Sequence, residues 1–502
     1  MRAIILAVLV LLAATMACAA PPEVAQVRVT LDDRAQVDLL ERNGFIVGNL
    51  FGSTATVYLL REDLPRLEKL GFAYEEIVEA PLDEKALDAY HNYAELTSAL
   101  QGFASQYPNL TKLVSIGKSV RNRDIWALLI TDNPNEAEDE PEFKYVSTMH
   151  GDEPIGTELL INLADLLLKN YGTNFRYTEI VNETQLWLVP CMNPDGLEAV
   201  TRYNANNIDL NRSFPTRQQT AGMLYDGAPF NIDNRQPEVR AVMTWSALHN
   251  FVLSANFHTG SLVVNYLYDD DGLPTGSYAA CPDDELVYTL SLEYAQHNAP
   301  MSASTQFQDG VVNGTVWYLA TGSMQDWNYR YLGCIEATIE LNNVKKPAGS
   351  QLPTFWDNNR QSLLAYLEAV QWGLRGKITD RANGDPLYAR IRVAGNDKPM
   401  NSDPEHGDYY RMLLAGTYDV TYEAPGYISY RANGVVVPDR DFTRLDVQLS
   451  NGDLNNDGDV NAADVQEAVN ALLQRPGARN ADVDGLGLSA TDLEAIIKKA
   501  LE

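Results

Sequence analysis

Basic residues are in short supply in this chain. Lys and Arg number 38 against 68 Asp and Glu, a formal charge of −30. So acidic a surface argues against nucleic acid as a partner and fits calcium, basic peptides or simple solubility. Cysteine is scarcer, with four residues. If Cys18 is lost with a leader, Cys191, Cys281 and Cys334 permit one disulfide and one free thiol, and the sequence does not select the pair. Histidine occurs only six times. Long apolar runs are absent beyond the opening, where Met1-Arg2 precedes the apolar stretch Ala3 to Ala17 and the small residues Ala17-Cys18-Ala19-Ala20. Residues 1–20 therefore read as a secretory signal peptide and not a membrane span, since Pro21-Pro22 follow and no comparable run recurs. The mature protein is expected outside the cytoplasm; a lipid anchor at Cys18 is the lesser alternative.

A chain of 502 residues exceeds what one core holds, about 250–300 residues. Residues 23–80 alternate strand and helix: Val24–Val29 and Thr54–Leu59 are strand-like, Arg34–Asn43 and Arg61–Leu70 helical. This predicts a small α+β module, either a pro-segment or a permanent domain, followed by a linker at Glu79–Lys85. From 88 to 372, helical patterns at Tyr93–Tyr107 and Gly156–Asn170 alternate with strands at Ile125–Ile130, Leu186–Pro190, Leu253–Phe257 and Ile335–Glu340. The expected fold class is α/β, a mixed, largely parallel sheet flanked by helices, with ligands outside the carboxyl ends of the strands. Between 373 and 450 short alternating strands predict a small antiparallel β-sandwich.

The chemistry concentrates just past three strand ends. Met149-His150-Gly151-Asp152-Glu153-Pro154 places an imidazole and a carboxylate three residues apart, able to meet at one cation. Asn256-Phe257-His258 offers a third ligand after another strand. Between them lie Asn193-Pro194-Asp195-Gly196, Arg202, and Asp209-Leu210-Asn211-Arg212-Ser213-Phe214-Pro215; a guanidinium with a neighbouring amide suits a peptide's terminal carboxylate. Gly322-Ser323-Met324-Gln325-Asp326-Trp327-Asn328-Tyr329 then precedes Glu340, a phenol and a carboxylate. Each residue alone has an ordinary reading: a surface ion pair, a core aromatic, a hydrogen-bonded core histidine. Their joint occurrence in a chain with so few histidines is improbable as coincidence.

These fragments resemble the zinc metallocarboxypeptidases of the carboxypeptidase A/B type, in particular the regulatory branch of carboxypeptidases N, E, M and D. The resemblance covers roughly Tyr90 to Trp372 and continues into a transthyretin-like sandwich. It implies that His150, Glu153 and His258 bind one catalytic Zn²⁺, that Glu340 is the general base and that Arg202 steadies the oxyanion. It further implies that Asn211, Arg212 and Tyr329 hold the substrate's terminal carboxylate. Asp269, eleven residues after His258, stands where the branch carries an acidic specificity residue, which implies removal of C-terminal Lys or Arg. The competing readings are a zinc peptidase or amidase acting on cell-wall peptides and a catalytically inactive peptide-binding homologue.

The last segment, 451–502, opens with Asp453-Leu454-Asn455-Asn456-Asp457-Gly458-Asp459-Val460-Asn461-Ala462-Ala463-Asp464. Side-chain oxygens of Asp453, Asn455, Asp457, Asn461 and Asp464, the Asp459 carbonyl, and Gly at the sharp turn match a twelve-residue Ca²⁺ loop. Asp482 to Asp492 repeats the form one residue short, with Leu486 in place of an oxygen donor, so calcium binding is expected in the first loop and not relied on in the second. The pair resembles a type I dockerin, which implies docking to a cohesin-bearing protein and a bacterial secreted or envelope-associated setting.

Overall fold

The computed structural model describes residues 24–76 apart from 33–35, 37, 38, 41, 42, 44 and 52; residues 89–217, 232 and 234–501 follow, apart from 456, 458, 479, 485 and 486. The expected signal peptide and linker, and most of the helix expected at 34–43, lie outside these residues. The chain divides into two compact units at residues 78/79. In the first, β1 (Val24–Thr30), β2 (Ile46–Phe51), β3 (Thr54–Leu60) and β4 (Tyr74–Glu76) form an antiparallel sheet in the order β2-β3-β1-β4. Helix α1 (Leu64–Lys69) buries Leu64 and Leu67 in the same core as Val27 and Val57.

The second unit is built on an eight-stranded sheet. Its strands are β5 (Thr111–Lys118), β6 (Asp124–Ile130), β7 (Glu142–Ser147), β8 (Gln185–Val189), β9 (Phe251–His258), β10 (Ser261–Tyr266), β11 (Val311–Asn313) and β12 (Ile335–Asn342), in the order β11-β10-β12-β9-β7-β8-β6-β5. The middle of the sheet, β12-β9-β7-β8, is parallel throughout, and the antiparallel pairings β10/β12, β8/β6 and β6/β5 lie to either side. Central parallel strands are covered on both faces, which is why all eight residues of β9 are buried. Alternation assigns the faces. Phe143, Tyr145, Leu186 and Leu188 join helices α2 (Tyr93–Gln106), α3 (Ile155–Asn170) and α4 (Phe175–Asn182) in one core. Val146, Trp187 and Val189 join Val239, Val242 and Met243 of α6 (Pro237–Ala247) in another, α5 being the short helix Pro194–Ala199. Helix α3 has few exposed positions, so its apolar residues run round the whole helix. Helices α7 (Asp284–Ala295) and α8 (Leu352–Glu368) complete the first core.

Residues from Gly373 form two facing sheets. One holds β13 (Gly373–Asp380), β16 (Asp408–Arg411), β19 (Phe442–Arg444) and β20 (Val447–Leu449); the other holds β14 (Arg390–Val393), β15 (Met400–Asn401), β17 (Gly416–Glu423) and β18 (Tyr430–Val437). They share a core around Ile378, Ile391, Tyr409, Val420 and Tyr422. The sandwich is not purely antiparallel as the turn-rich sequence predicts: β13 runs parallel to both β19 and β20, the short link 438–441 carrying the chain from β18 in one sheet to β19 in the other. A polar knot ties the sandwich to the larger sheet. Asp283, buried, accepts from Arg411 Nη2 at 2.6 Å, Asn396 Nδ2 at 2.7 Å and the Tyr329 hydroxyl at 2.8 Å.

The tail carries α9 (Ala462–Leu472) and α10 (Ala490–Leu501). Its small core includes Leu454, Ala468, Val483 and Ile496, and closes on Ile428 of the sandwich. Cys191, Cys281 and Cys334 are each free and buried, so none forms the disulfide their number permits.

Candidate metal centre and catalytic cleft

Strand β7 ends in a turn in which Thr148 takes φ +51°, bending the chain toward His150. The loop lies so close to α5 that a Cβ on Gly151 would stand 1.9 Å from the Gly196 carbonyl carbon. Asn193 joins the two pieces: its Oδ1 accepts from Gly196 N at 2.9 Å and its Nδ2 donates to Met149 O at 3.2 Å. Asn193, also expected just past a strand end, is thus a brace for the loop.

His150, Glu153 and His258 converge, all three buried. The Nδ1 atoms of the two histidines are 2.9 Å apart, and Glu153 Oε2 lies 2.9 Å from His258 Nδ1 and 3.1 Å from His150 Nδ1. Ligands held about 2.0–2.1 Å from a common tetrahedral centre stand about 3.3 Å from one another, close to this triangle. Burial, and next the charge on His150, pull the His258 imidazole down to about 4, which keeps it neutral with a lone pair to offer. Burial alone would raise Glu153, but its hydrogen bonds from both imidazoles outweigh that and hold it well below the usual carboxylate range. Two imidazoles and one carboxylate with one side open are the donor set of a catalytic zinc, and the three residues fit that ion.

The register of the sheet places the remaining acid. In the β12/β9 pairing Glu340 stands directly beside His258, so the two side chains emerge from neighbouring strands on the same face. Glu340 Oε2 is buried with no hydrogen-bond partner, and the carboxyl is pushed up to about 8 by burial and then by repulsion from Glu153. A cavity of about 210 Å³ is lined by the three ligands, Arg202, Asn211, Arg212, Asp269 and Glu340. Arg202 leans over the cluster, with Nη1 3.1 Å from His150 Nδ1 and 3.5 Å from Glu153 Oε1. Asn211 Nδ2 is 3.4 Å from His258 Nε2, and its Oδ1 accepts from Met324 N at 2.9 Å. Asp269 is 2 % exposed, accepts from Asn265 Nδ2 at 2.7 Å, and is raised to about 6 by burial.

Tyr329 is a correction. The helical turn Asn328–Leu332 that follows Trp327 carries its ring into the core, where it is fully buried and its hydroxyl donates to Asp283, away from the cavity. The phenol at the cavity is that of Tyr318, 38 % exposed, with the Arg212 guanidinium 6.0 Å from its ring centre. Two more residues escaped the sequence reading. Asp209 Oδ1 lies 3.0 Å from His150 Nε2, and its Oδ2 accepts from Arg202 Nε at 2.9 Å; a ligating imidazole needs such an acceptor to fix its tautomer. Lys345 Nζ lies 3.0 Å from both Glu153 Oε1 and Asp152 Oδ2.

In the tail, Asp464 is fully buried and accepts from the backbone of Leu454, Asn455 and Asn461. Asp492 does the same for Val483 and Asp484, each one residue closer, and for Ser489 at the same spacing of three. Carboxylates of Asp482, Asp484 and Asp492 group within 4.8 Å, so the shortened loop still gathers its acids.

The zinc carboxypeptidase family model matches residues 96–362. The chain is 42% identical over 358 residues to human carboxypeptidase D, covering 67% of this chain and 25% of that protein. It is 39% identical over 368 residues to mouse carboxypeptidase M, covering 69% and 80%, and 38% identical over 371 residues to the mouse carboxypeptidase N catalytic chain, covering 67% and 81%. It thus spans only a quarter to a third of the carboxypeptidase D relatives. Matching more than half of its length to the family model and 38–39% identical to these relatives over about two thirds of its length, the chain belongs to the zinc carboxypeptidase family.

Proposed function

We propose that the protein is an exported zinc-dependent metallocarboxypeptidase that removes C-terminal Lys or Arg from peptides. The carrying observation is the meeting of His150, Glu153 and His258 with Glu340 in one cavity that also holds Arg202 and Arg212. Zinc held by the three ligands would polarise the scissile carbonyl and lower the pKa of water at its open position.

The protein's own groups supply the rest. Glu340 takes a proton from the attacking water on its free Oε2 and passes it to the leaving amine; a cation in the neighbouring cluster lowers its raised pKa toward the working range. Arg202, beside the cluster, stabilises charge developing on the carbonyl oxygen. Asn211, Arg212 and Tyr318 seat the terminal carboxylate, which restricts cleavage to chain ends. Asp269, buried at the cavity wall, favours a cationic terminal side chain that would offset its desolvation. The relatives' names support the carboxypeptidase reading.

The test is hydrolysis of peptides ending in Lys, Arg, Phe and Glu, with chelation and zinc readdition. Chelator-reversible release of Lys and Arg is expected, and Asp269→Gly should move the preference toward apolar ends. Metal-independent release, or an unchanged preference in that variant, would overturn the reading.

For the tail, the oxygen spacing of the 453–464 loop supports one structural Ca²⁺ held by Asp453, Asn455, Asp457, Asp459, Asn461 and Asp464. The paired-loop form supports a cohesin-type partner. Calorimetric titration with calcium, and then with a cohesin domain, tests both.

A further inference from the structure

Beyond Tyr266 the chain leaves β10, and the backbone groups that follow find their hydrogen bonds outside the ladder. Tyr268 bonds to other backbone, its N–H donating to Ala279 O at 3.2 Å and its carbonyl accepting from Thr315 N at 2.8 Å. The next two N–H groups go to one side chain. Asp326 accepts from Asp269 N on Oδ1 and from Asp270 N on Oδ2, both at 2.9 Å. Arg330 takes the carbonyl side: its Nη2 donates to Asp270 O at 2.8 Å and lies 3.2 Å from Asp271 Oδ1, with its guanidinium 3.9 Å from the centre of the Tyr268 ring. Asp326, on the short helix Met324–Trp327, and Arg330, on the turn Asn328–Leu332, stand four residues apart with their charged ends at 4.0 Å. Lys398 of the sandwich donates to the Arg330 carbonyl at 2.9 Å and ties this turn from the other domain.

What this pair holds is a wall of the catalytic cavity. Asp269 lines that cavity, whereas Asp326 and Arg330 stand behind it. The seat of the Asp269 carboxylate is close: Asn265 donates to its Oδ1, and a Cβ on Gly314 would stand 2.3 Å from the same atom. In so tight a seat a small backbone shift moves the carboxylate off its line into the cavity. Placing a second buried acid beside Asp269 is costly. Burial and then the charge on Asp269 push the Asp326 carboxyl up, and Arg330 and the two backbone N–H groups oppose that rise. With both oxygens already engaged by backbone, Asp326 is not free to meet a substrate; what it can do is fix where Asp269 points.

We propose that Asp326 and Arg330 are positioning residues for terminal side-chain specificity: they grip the 269–270 backbone by its N–H groups and its carbonyl, and so aim the Asp269 carboxylate into the cavity. The inference rests on the reading of Asp269 as the partner of a cationic terminal side chain. Neither residue touches the substrate, so loosening the grip should act on substrate choice and leave the hydrolytic step alone.

The test measures kcat and KM separately on the full-length, zinc-loaded protein, with two peptides that differ only in ending in Arg or Phe. Asp326→Asn turns one acceptor into a donor, and Arg330→Met keeps the stem against Tyr268 but removes the donors. Each should lower kcat/KM for the Arg peptide by about tenfold or more, through KM, and leave the Phe peptide within about twofold. A purely structural role would reduce the active fraction for both peptides alike and leave their ratio unchanged. Tyr329→Phe, which loses a buried bond on the same turn, is the control and should not move the ratio. Amide hydrogen exchange over residues 268–272 reads the grip directly and should speed up in Asp326→Asn, with the β9 amides unaffected. An unchanged Arg/Phe ratio in both variants, an equal shift in Tyr329→Phe, or unaltered exchange at 268–272 would overturn the inference. If Asp269→Gly shifts the ratio and these variants do not, the positioning role alone fails. If Asp269→Gly also leaves the ratio unchanged, the reading of Asp269 fails and takes the specificity role with it.

Discussion

The zinc cluster and the tail loops are both candidate cation sites, assembled by opposite means. His150 and His258 are brought together by the β7/β9 pairing across 108 residues of chain. Their donors are fixed by a sheet buried on both faces, so the site exists before the ion arrives. The loop Asp453–Asp464 draws its donors from twelve consecutive residues, oriented by backbone N–H groups that converge on one buried carboxylate. A site set by the fold spends its ion on chemistry; a site set by a loop spends it on holding the loop.

The sharpest break of that contrast is Glu340→Gln. It should cut kcat by about 10²–10⁴-fold, with zinc content by metal analysis and calcium response both unchanged. Loss of zinc in this variant would mean that Glu340 is structural. Next, Asp209→Asn should weaken zinc binding about 10–100-fold in chelator competition by releasing the His150 tautomer, with little effect on the melting temperature.

In the tail the dependence reverses. Calcium at about one hundred times its dissociation constant should stabilise the module by about 2.7 kcal/mol. Asp464→Ala should abolish this response in calorimetry and leave peptide hydrolysis intact. Parallel loss of hydrolysis would join the two sites.

The tyrosines sharpen the comparison within the cleft. Tyr318→Phe should raise KM for peptides, whereas Tyr329→Phe should leave kinetics alone and cost about 1.5–3 kcal/mol in denaturant unfolding, through the lost bond to Asp283. A further test comes from a control without histidines. In the group Asp132, Glu138 and Glu140, burial raises Glu140 above its unfolded value of 4.5 to about 8. Such a carboxyl binds its proton more tightly when folded, so its stabilisation is complete below about 4.5 and is lost as pH rises through about 8. Thermal melts from pH 5 to 9 should show that loss, flattened in Glu140→Gln.

The convergence of His150, Glu153 and His258 was legible because each follows a strand and sits in a distinctive fragment. Glu340 could be named, but its place beside His258 depends on a strand register that no local pattern encodes. Tyr329 misled because the fragment that contains it is distinctive, whereas the chain reverses at Gly322, φ +82°, between the two tyrosines. Trp317-Tyr318, two aromatics just before that turn, was the available signal. Asp209 stood inside a quoted fragment, and asking what accepts from the far nitrogen of His150 would have found it. The sandwich strands were readable from alternation, but the parallel return of β19 and β20 was not, since strand direction depends on the route of the connecting chain.

The Asp283 knot constrains how this chain can be cut. Arg411 and Asn396 come from the sandwich, Tyr329 from the helical turn Asn328–Leu332 and Asp283 from just before α7. Ending the chain at Trp372 would strip two of three donors from a sequestered anion and open an apolar flank to water. A minimal folded fragment must therefore run past Leu449, and the sandwich belongs to the body built on the larger sheet as a keystone belongs to its arch.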